Sequence, residues 1–600
     1  MPFSPEISAV DLRRHIGALA SEQMDGRLTG TEGERLATAY VAAVFQALGL
    51  QPAGDNGTYM QAFEFTAGVS LGPENLLVVR QTGEPQRQDY GPDRNWRPLA
   101  FSKPGTFETA PIVFAGYGLV APAADGFEAY DAFAGLEVTD KWVLVLRYLP
   151  EQVTPARRQH LANFAGLRHK AMVARDRGAR GLIVVSGPNS RVKEQLAELA
   201  LDTILAGTSI AALSITDALA EQWLKPSGHD LKTLQDRLDT GDPLPGFTLA
   251  GLTLGASIDI RHETRLGHNV LARLQVAERP AESLVAVGAH VDHLGRGLGT
   301  NSLARGNEKG QVHYGADDNA SGVGCLLEVA QFLMHLKAKG ALHLRRDILF
   351  AAWSGEELGL LGSTHFTRSL GGAPDHATSP APWIVAYLNM DMIGRLDNTL
   401  TLQGVGSSAL WRDEINRANA TIGLPIALQD DSYVPSDATA FYLKGVPILS
   451  AFTGAHEEYH TPRDTAERIN YDGAERISRL MANLTHALAT RPDAPQYRRI
   501  AQPERPVKRA NVRAYLGTIP DYAQGEVRGL KVAGIVAGGP AERAGVRDGD
   551  VIVELAGKTI ENIYDYTYAL NAIKVGITAT LVVLRGQERL TLLVTPGSRE

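Results

Sequence analysis

Hydrophobic and polar residues follow two different periods along this chain. Residues 9–22 and 33–48 carry apolar positions at helical spacing, and the second segment runs into a glycine stop, "LGL". From about 70 to 255 the pattern changes to short β-type runs such as "ENLLVVR", "APIVFAGYG" and "KWVLVLRYL". We therefore predict two N-terminal helices followed by a separate, β-rich module.

Between about residues 258 and 490, strand patterns alternate with helical ones. The strand-like runs include "SLVAVGAH", "RRDILFAAW", "WIVAYLNMDM" and "VPILSAF", whereas "SGVGCLLEVAQFLMHL" has helical spacing. This alternation is typical of an α/β fold with a largely parallel sheet. The stretch after residue 490 carries proline and charge without a period, which is typical of a linker.

These patterns divide the 600 residues into five segments, and one core could not organise a chain of this length. The segments are the N-terminal part of the α/β domain (1–69), the β-rich insert (70–255), the remainder of the α/β domain (256–490), the linker (491–509) and a small C-terminal domain (510–600).

Composition narrows the possible partners and compartment. The apolar fraction is 44%, the net charge is −8 and the pI is near 6.1, so neither nucleic acid nor an anionic membrane is an expected partner. The longest apolar runs are too short to span a bilayer, and no signal peptide is expected in "MPFSPEISAVDLRRHIGALASEQ". The expected compartment is cytoplasmic, or periplasmic or extracellular if a signal was removed. A single cysteine, Cys325, excludes an internal disulfide framework.

Candidate chemistry starts with two adjacent glutamates, Glu356 and Glu357, which directly follow the buried-strand run "DILFAAW". Like charges at the mouth of a core strand repel each other and lose hydration, so they need compensation. Ligands of an open α/β sheet bind beyond the carboxyl ends of its strands. Further ionisable residues are predicted near such ends: His290, Asp292, Asp317, Asp318, Asp391 and His460.

Taken singly, each of these residues could be an ordinary cap or surface group. Their coincidence at the ends of one sheet indicates more, because so many converging carboxylates need cations to neutralise them. Imidazole together with carboxylate suits zinc first, with cobalt or manganese as possible substitutes.

Five segments carry a family resemblance: "GAHVDHLG", "GADDNASG", "WSGEELGLLGS", "LNMDMIG" and "YHTPRDT". In this order they resemble the motifs of the co-catalytic dizinc aminopeptidases, peptidase family M28, over about residues 250–480. The resemblance implies a zinc exopeptidase fold, a mostly parallel twisted sheet flanked by helices. It also implies two zinc ions per chain and hydrolysis of N-terminal residues from peptide substrates.

The resemblance further implies a role for each matching residue. Asp318 would bridge the two zinc ions, His290 and Asp391 would complete one site, and Glu357 and His460 the other. Asp292 would orient His290 through its ring N–H. Glu356 would be the general base that takes a proton from water.

A competing motif lies inside the last segment. "HEEYH", residues 456–460, matches the H-E-x-x-H zinc signature with Glu457 as the base. That signature needs a helix, and Gly454 before it and Pro462 after it disfavour one. On the preferred interpretation, His456 and His293 are rim or packing residues.

One departure from the family pattern affects the substrate side. The family commonly has Ser-Asp-His before the last ligand, whereas this chain has Ser436, Asp437 and Ala438. Nearby Tyr433 could donate a hydrogen bond to the oxyanion, although an ordinary loop tyrosine is the favoured interpretation.

Two further resemblances concern the flanking segments. "FAGYGLVAP", "LEVTDKWVLVL" and "KAMVARDRGARGLIVV" resemble a protease-associated domain. The last ninety residues resemble a PDZ domain, with "YLGT" (515–518) at the place of its carboxylate-binding loop. Such a domain binds extended peptides or protein C-termini by strand addition, for recruitment or regulation.

Alternative functions remain open on the sequence. The family resemblance implies that the same metal scaffold also hosts carboxypeptidases and glutaminyl cyclases. A carboxypeptidase needs a cationic pocket, for which Arg395 is a weak candidate. The chain could also be a PDZ peptide-binding scaffold whose peptidase is inactive.

Overall fold

The fold is taken from a computed structural model of the chain. It describes residues 4–82, 88–123, 126–190, 192, 195–199, 210–277, 281–297, 301–370, 383–500, 513–520, 527–561, 565–566, 569–570 and 573–599. Its strands are, in chain order, β1 Gln51–Pro52, β2 Met60–Leu71, β3 Leu76–Gln81, β4 Gln88–Tyr90, β5 Trp96–Pro98, β6 Gly105–Phe114, β7 Val120–Ala121, β8 Tyr130–Asp131, β9 Trp142–Leu146, β10 Gly181–Val185, β11 Ala211–Ile215, β12 Phe247–Ile258, β13 Ile260–Leu274, β14 Ser283–His290, β15 Asp347–Trp353, β16 Trp383–Met390, β17 Leu400–Gln403, β18 Ile426–Leu428, β19 Ile448–Phe452, β20 Arg513–Tyr515, β21 Thr518–Pro520, β22 Leu530–Ile535, β23 Val551–Leu555, β24 Lys558–Thr559, β25 Ala579–Arg585, β26 Glu588–Val594 and β27 Gly597–Arg599.

The α-helices are α1 Ala9–Leu19, α2 Glu32–Ala47, α3 Pro155–Ala162, α4 Leu167–Asp176, α5 Asp217–Leu224, α6 Leu231–Leu238, α7 Gly322–Ala338, α8 Leu361–Arg368, α9 Trp411–Asn419, α10 Ala438–Tyr442, α11 Tyr471–Thr490 and α12 Pro540–Arg543. A π-helical turn, Ala316–Ser321, directly precedes α7. None of the helices among the described residues is long and apolar enough to cross a membrane.

The first sheet has nine strands in the order β1-β13-β15-β14-β16-β19-β17-β18, with β2 also paired to β13. Its centre, β15-β14-β16-β19, is parallel. Alternate residues of β14 face opposite layers: Val285 and Val287 pack in the core with α7 and α11, whereas Leu284 and Ala286 pack with α10. Both faces of the sheet are therefore covered, which explains the continuous apolar runs of these strands. This confirms the predicted α/β class.

The insert forms a sheet of its own. The chain leaves the first sheet at Leu71, which pairs with Ile260, where it returns. Between these points, eight strands form a sheet in the order β4-β3-β12-β6-β9-β10-β11-β5, and β7 and β8 pair separately. Its centre, β6-β9-β10-β11, is parallel, and Trp142 and Trp223 are fully buried in its core.

The main sheet of the C-terminal domain has six strands, in the order β21-β22-β23-β25-β26 with β24 paired to β23, and β20 pairs separately with β27. This domain contacts both other domains: Arg175 of α4 forms an ion pair with Asp565 at 2.5 Å, and Lys444 of the α/β domain pairs with Asp548 at 3.7 Å. The described part of the predicted linker lies along the α/β domain, because the Arg498 N–H donates to the Ser407 carbonyl at 2.7 Å. Residues 501–509 lie outside the described residues.

Candidate metal centre and active site

Two candidate ligands stand at the ends of adjacent parallel strands. His290 is the last residue of β14, and Asp391 directly follows β16. Since β14 and β16 run parallel, their carboxyl ends meet, and His290 Nε2 lies 3.4 Å from Asp391 Oδ1. The sequence pattern placed these two residues at one sheet edge, and the structure brings their side chains together.

Asp318 lies between two histidines. It sits in the π-helical turn before α7 and is only 3% exposed. Its Oδ1 atom is 3.2 Å from His290 Nε2, and its Oδ2 atom is 3.2 Å from His460 Nε2. The two oxygens of one carboxylate therefore face two different imidazoles.

A second group forms on the Oδ2 side. Glu357 Oε2 lies 3.2 Å from the Nε2 atom of His460. The other ring nitrogen of His460, Nδ1, is 2.8 Å from the carbonyl of Asn301. A carbonyl only accepts, so Nδ1 carries a proton, and Nε2 is the ring nitrogen that faces the two carboxylates.

The spacing of these atoms fits zinc. Donor atoms about 2.0–2.1 Å from one tetrahedral zinc ion lie about 3.3–3.4 Å apart. His290 with Asp318 and Asp391, and His460 with Asp318 and Glu357, give separations of 3.2–3.4 Å. Among the described residues, two groups of three have possible ligand atoms that all lie within 4.8 Å of one another. They are His290, Asp318 and Asp391, and His293, Asp318 and Glu357.

The second of those groups contains His293 instead of His460. We favour His460 as the ligand, because its Nε2 is 3.2 Å from both carboxylates. His293 Nδ1 lies 2.7 Å from Glu357 Oε1, which is an ordinary hydrogen-bond distance. It lies 3.8 Å from Asp318 Oδ2, which is too far for a hydrogen bond.

The electrostatics of the cluster favour positive charge. Burial opposes charge on His460, but hydrogen bonds and charges from Asp318 and Glu357 outweigh it and raise its pKa to about 10. The pKa of His290 is also raised despite burial, chiefly by the charge of Glu356 and by hydrogen bonds to Asp318 and Asp391. A donor set that stabilises positive charge at these nitrogens fits divalent cations.

Asp292 and Glu356 occupy the same end of the sheet. Asp292 is fully buried, and its carboxylate accepts the backbone N–H groups of Glu356 at 3.2 Å and Glu357 at 3.4 Å. The His290 ring bonds the backbone carbonyl of Asp292 at 3.2 Å, while the carboxylate is 3.8 Å away. Asp292 thus orients His290 through its main chain, and its side chain supports the loop of the two glutamates.

Glu356 itself is enclosed among other charges. Burial, followed by the nearby carboxylates of Asp391 and Asp437, raises its pKa well above the ordinary glutamate value, against the opposing charge of His290. A carboxylate with an elevated pKa is a stronger base, which suits proton transfer near neutral pH.

Two buried side chains that the sequence interpretation missed support the ligand loops. Arg27, 1% exposed, donates to the carbonyls of Val291, Leu19, Tyr314 and Gly315 at 2.7–2.9 Å, linking the segments after His290 and before Asp318. Asp464 Oδ2 accepts the Asp317 and Asp318 N–H groups at 2.9 and 3.1 Å. Their positions in "DGRLTG" and "HTPRDT" carry no periodic signal.

The competing zinc signature does not form a site. Residues 456–460 make a turn and not a helix. His456 points away from His460, with Nε2 3.2 Å from Asp317 Oδ2, and Glu457 is exposed. The two histidines consequently face different carboxylates.

Other candidates from the sequence lie elsewhere. Tyr433 is at the interface with the C-terminal domain, where its hydroxyl accepts the Ala537 N–H at 3.3 Å. Arg395 is paired with Glu458 at 3.5 Å and Asp464 at 3.4 Å. Ala438 is fully buried in the core at the start of α10.

Tyr459 is a better placed tyrosine than Tyr433. Its ring stacks on that of His460, with centroids 3.7 Å apart and an interplanar angle of 20°. Burial, and then the charges of Asp318 and Glu357, raise the pKa of Tyr459. Its hydroxyl therefore stays protonated at neutral pH and can donate a hydrogen bond.

Comparison with known families is consistent with this geometry. Residues 269–485 match the model of peptidase family M28, and residues 505–595 match that of the PDZ domain. Aminopeptidase NAALADL1 of Mus musculus is 33% identical over 168 residues, or 28% of this chain and 19% of that protein. A probable leucine aminopeptidase 2 of Aspergillus fumigatus is 31% identical over 36% of this chain and 40% of its own length. The chain thus spans well under half of these relatives.

Solved structures also align with most of the chain, at low sequence identity. An aminopeptidase from Aneurinibacillus sp. strain AM-1 aligns with a TM-score of 0.46 and 20% identity, over 84% of this chain and 98% of its own. BSAP, a zinc aminopeptidase from Bacillus subtilis, aligns with a TM-score of 0.45 and 18% identity, over 82% and 97%.

Proposed function

We propose that the protein is a metal-dependent aminopeptidase, from the premise that residues 269–485 match the model of peptidase family M28 and residues 505–595 that of the PDZ domain. One observation carries the proposal: the two oxygens of Asp318 each lie 3.2 Å from a different histidine, His290 and His460. A carboxylate placed this way suits a bridge between two cations.

The chain supplies a ligand set for each cation. His290 and Asp391 would hold one zinc ion, Glu357 and His460 the other, and Asp318 both. Zinc in these places would supply Lewis acidity and make water a stronger nucleophile at neutral pH. Cobalt and manganese accept the same ligand types and are possible substitutes.

Glu356 is the proposed general base. Its elevated pKa matches it to removal of a proton from the attacking water and delivery of that proton to the leaving amine. Asp292 holds Glu356 in place by accepting a hydrogen bond from its backbone N–H. Tyr459 is proposed to donate its hydroxyl hydrogen to the oxyanion that develops on the scissile carbonyl.

The charges around the centre support attack at the N-terminus of a peptide. A carboxypeptidase would need a cation for the substrate carboxylate, but the Arg395 guanidinium already faces Glu458 and Asp464. The anionic surroundings of Glu356, Asp391 and Asp437 instead suit the ammonium group of a peptide N-terminus. We therefore favour an aminopeptidase over a carboxypeptidase.

The PDZ domain is proposed to bind peptides or protein C-termini. Strand β21 lies at one end of its sheet and pairs with β22 on its inner side. An extended peptide could add to the outer side. Recruitment of substrates and regulation of the peptidase both suit a domain that contacts the insert through Asp565.

The test is metal content and hydrolysis on one preparation. We would assay aminoacyl chromogenic substrates beside their N-acetylated forms, with and without chelator. Close to two metals per chain, with chelator-sensitive cleavage of free-amine substrates alone, is the expected result. Two metals without such cleavage would favour a carboxypeptidase or glutaminyl cyclase, and neither metal nor cleavage would favour the PDZ scaffold.

A further inference from the structure

His293 is a fully buried imidazole beside the proposed metal centre, and its role is distinct from that of the ligands. Its Nδ1 atom is 2.7 Å from Oε1 of Glu357. We propose that His293 is a positioning residue: it donates a hydrogen bond to Oε1 and so directs Oε2 of Glu357 toward the ion. This inference rests on the proposed function, because it concerns a ligand of that centre.

Distance separates a hydrogen-bond donor from a ligand. Two donor atoms on one tetrahedral zinc ion lie about 3.3–3.4 Å apart. His460 Nε2 and Glu357 Oε2, at 3.2 Å, are close to that spacing. The 2.7 Å between His293 and Glu357 is the length of a charge-assisted N–H···O bond. Since a carboxylate only accepts, Nδ1 of His293 must be the donor.

The ring of His293 is held in this orientation by its surroundings. Gly315 packs against it so closely that a Cβ there would lie 2.5 Å from the ring atom Cδ2. The His293 backbone N–H donates to the carbonyl of Arg27 at 3.3 Å. Its ring meets that of His460 edge-on, with centroids 5.8 Å apart. A ring confined on these sides can present Nδ1 to Glu357 without rotating.

The two oxygens of Glu357 therefore have separate tasks. Oε1 is occupied by His293, while Oε2 faces His460 Nε2 at 3.2 Å. Without the Nδ1 donor, the carboxylate could rotate and present either oxygen, so the ligand geometry would no longer be prepared before binding. Removing such an outer hydrogen bond weakens metal binding by about 10–100-fold.

Three substitutions separate this role from simple packing. His293→Asn keeps an N–H one bond from Cγ, where Nδ1 stands, whereas His293→Leu keeps bulk without a donor. His293→Gln keeps an amide but moves it toward the Nε2 position. Zinc affinity would be measured for all three and the wild type by competition with a chromogenic chelator, and thermal unfolding in EDTA would report the fold.

We expect two zinc ions on the wild type and on His293→Asn, and one site weakened about 10–100-fold in His293→Leu and His293→Gln. Should the Leu variant not fold, the Asn and Gln variants carry the comparison alone. Equal zinc affinity in the Asn and Gln variants, with the wild type binding two ions, would overturn the role of His293 and leave the proposed function intact. A wild type that binds no zinc would overturn both.

Discussion

The carboxylate of Asp292 accepts the backbone N–H of Glu356 at 3.2 Å. The two residues follow the neighbouring parallel strands β14 and β15, which end side by side at His290 and Trp353. A buried acceptor at the end of one strand thus fixes the loop after the next. Because that loop carries both glutamates, the proposed base Glu356 and the proposed metal ligand Glu357 are positioned together.

Replacing Glu356 by Gln should remove the base and leave the metal ligands in place. We expect the turnover rate to fall by about 10²–10⁴-fold, with the metal content unchanged by elemental analysis. Glu457→Gln is the matched control, since Glu457 is exposed in the competing motif and should retain full activity. An active Glu356→Gln beside an inactive Glu457→Gln would reverse the site assignment.

Replacing Tyr459 by Phe should test the oxyanion donor. The variant keeps the ring that stacks on His460 but loses the hydroxyl, so zinc affinity should hold while kcat falls by about 10²–10³-fold. Tyr433→Phe, at the interface with the C-terminal domain, should leave kcat unchanged. Equal kcat values for Tyr459→Phe and wild type would exclude the proposed role.

Chelation should lower the thermal stability of the peptidase domain. A ligand that binds only the folded state stabilises it by mass action, by about 2.7 kcal/mol at a hundredfold excess over Kd. The midpoint of unfolding should therefore fall in EDTA and return when zinc is added. In His290→Asn the shift should be smaller, because one site loses a ligand. An identical shift in wild type and variant would argue against His290 as a ligand.

A pH-dependent contribution to stability is expected from Glu328 of α7. Its carboxylate is buried beside His15 (Nε2 3.8 Å away) and accepts the Ser8 N–H at 2.8 Å. Burial raises the pKa of Glu328 to about 8, with smaller contributions from three charged neighbours, Asp11, Glu475 and Arg479. Burial also lowers the pKa of His15 to about 4, so that imidazole stays neutral through this range.

The sign follows from proton binding. Between pH 4.5 and about 8 the folded state keeps a proton on Glu328 that the unfolded chain releases, so this contribution is complete at low pH and is lost as the pH rises through 8. Glu328→Gln removes the titration. The difference in free energy of unfolding between Glu328→Gln and wild type should therefore grow in favour of the variant from pH 5 to pH 8. The expected growth is a few kcal/mol, at about 1.4 kcal/mol per pKa unit. Parallel pH profiles by urea denaturation would contradict this.

The ion pair between Arg175 and Asp565 should hold the PDZ domain against the insert. Asp565 is only 1% exposed, and hydrogen bonds to charged groups contribute about 1.5–3 kcal/mol. Arg175→Met and Asp565→Asn should each lower the unfolding midpoint of the C-terminal domain in calorimetry. The double variant should lose less stability than the sum of the losses in the two single variants, as expected for a coupled pair. Strict additivity would show that the two side chains act independently.

The sequence indicated much of the centre for a simple reason. Candidate residues such as His290 and Asp391 close apolar runs whose alternation with helical patterns predicts parallel strands. In a parallel sheet, strand ends on one side are neighbours whatever the details of packing. The α/β fold, and the edge of the sheet that carries the candidate site, therefore followed from local patterns and family motifs.

Side-chain pairing could not be predicted in the same way. The sequence favours His293 as a rim or packing residue, yet it is fully buried and bonds Glu357. Tyr433 is a candidate oxyanion donor on the sequence, yet it contacts Ala537 of another domain. Such partners lie far apart along the chain, so no period or spacing relates them.

The sequence by itself indicated the main strands and helices of the α/β domain and the candidate metal ligands, because periodicity and residue chemistry are local properties. Only the tertiary structure decided which imidazole faces which oxygen. Asp318 has His290 on Oδ1 and His460 on Oδ2, and Glu357 has His293 on Oε1 and His460 on Oε2. Those assignments depend on how buried loops pack around one another at distances of 2.7–3.2 Å, which is a property of the whole folded domain.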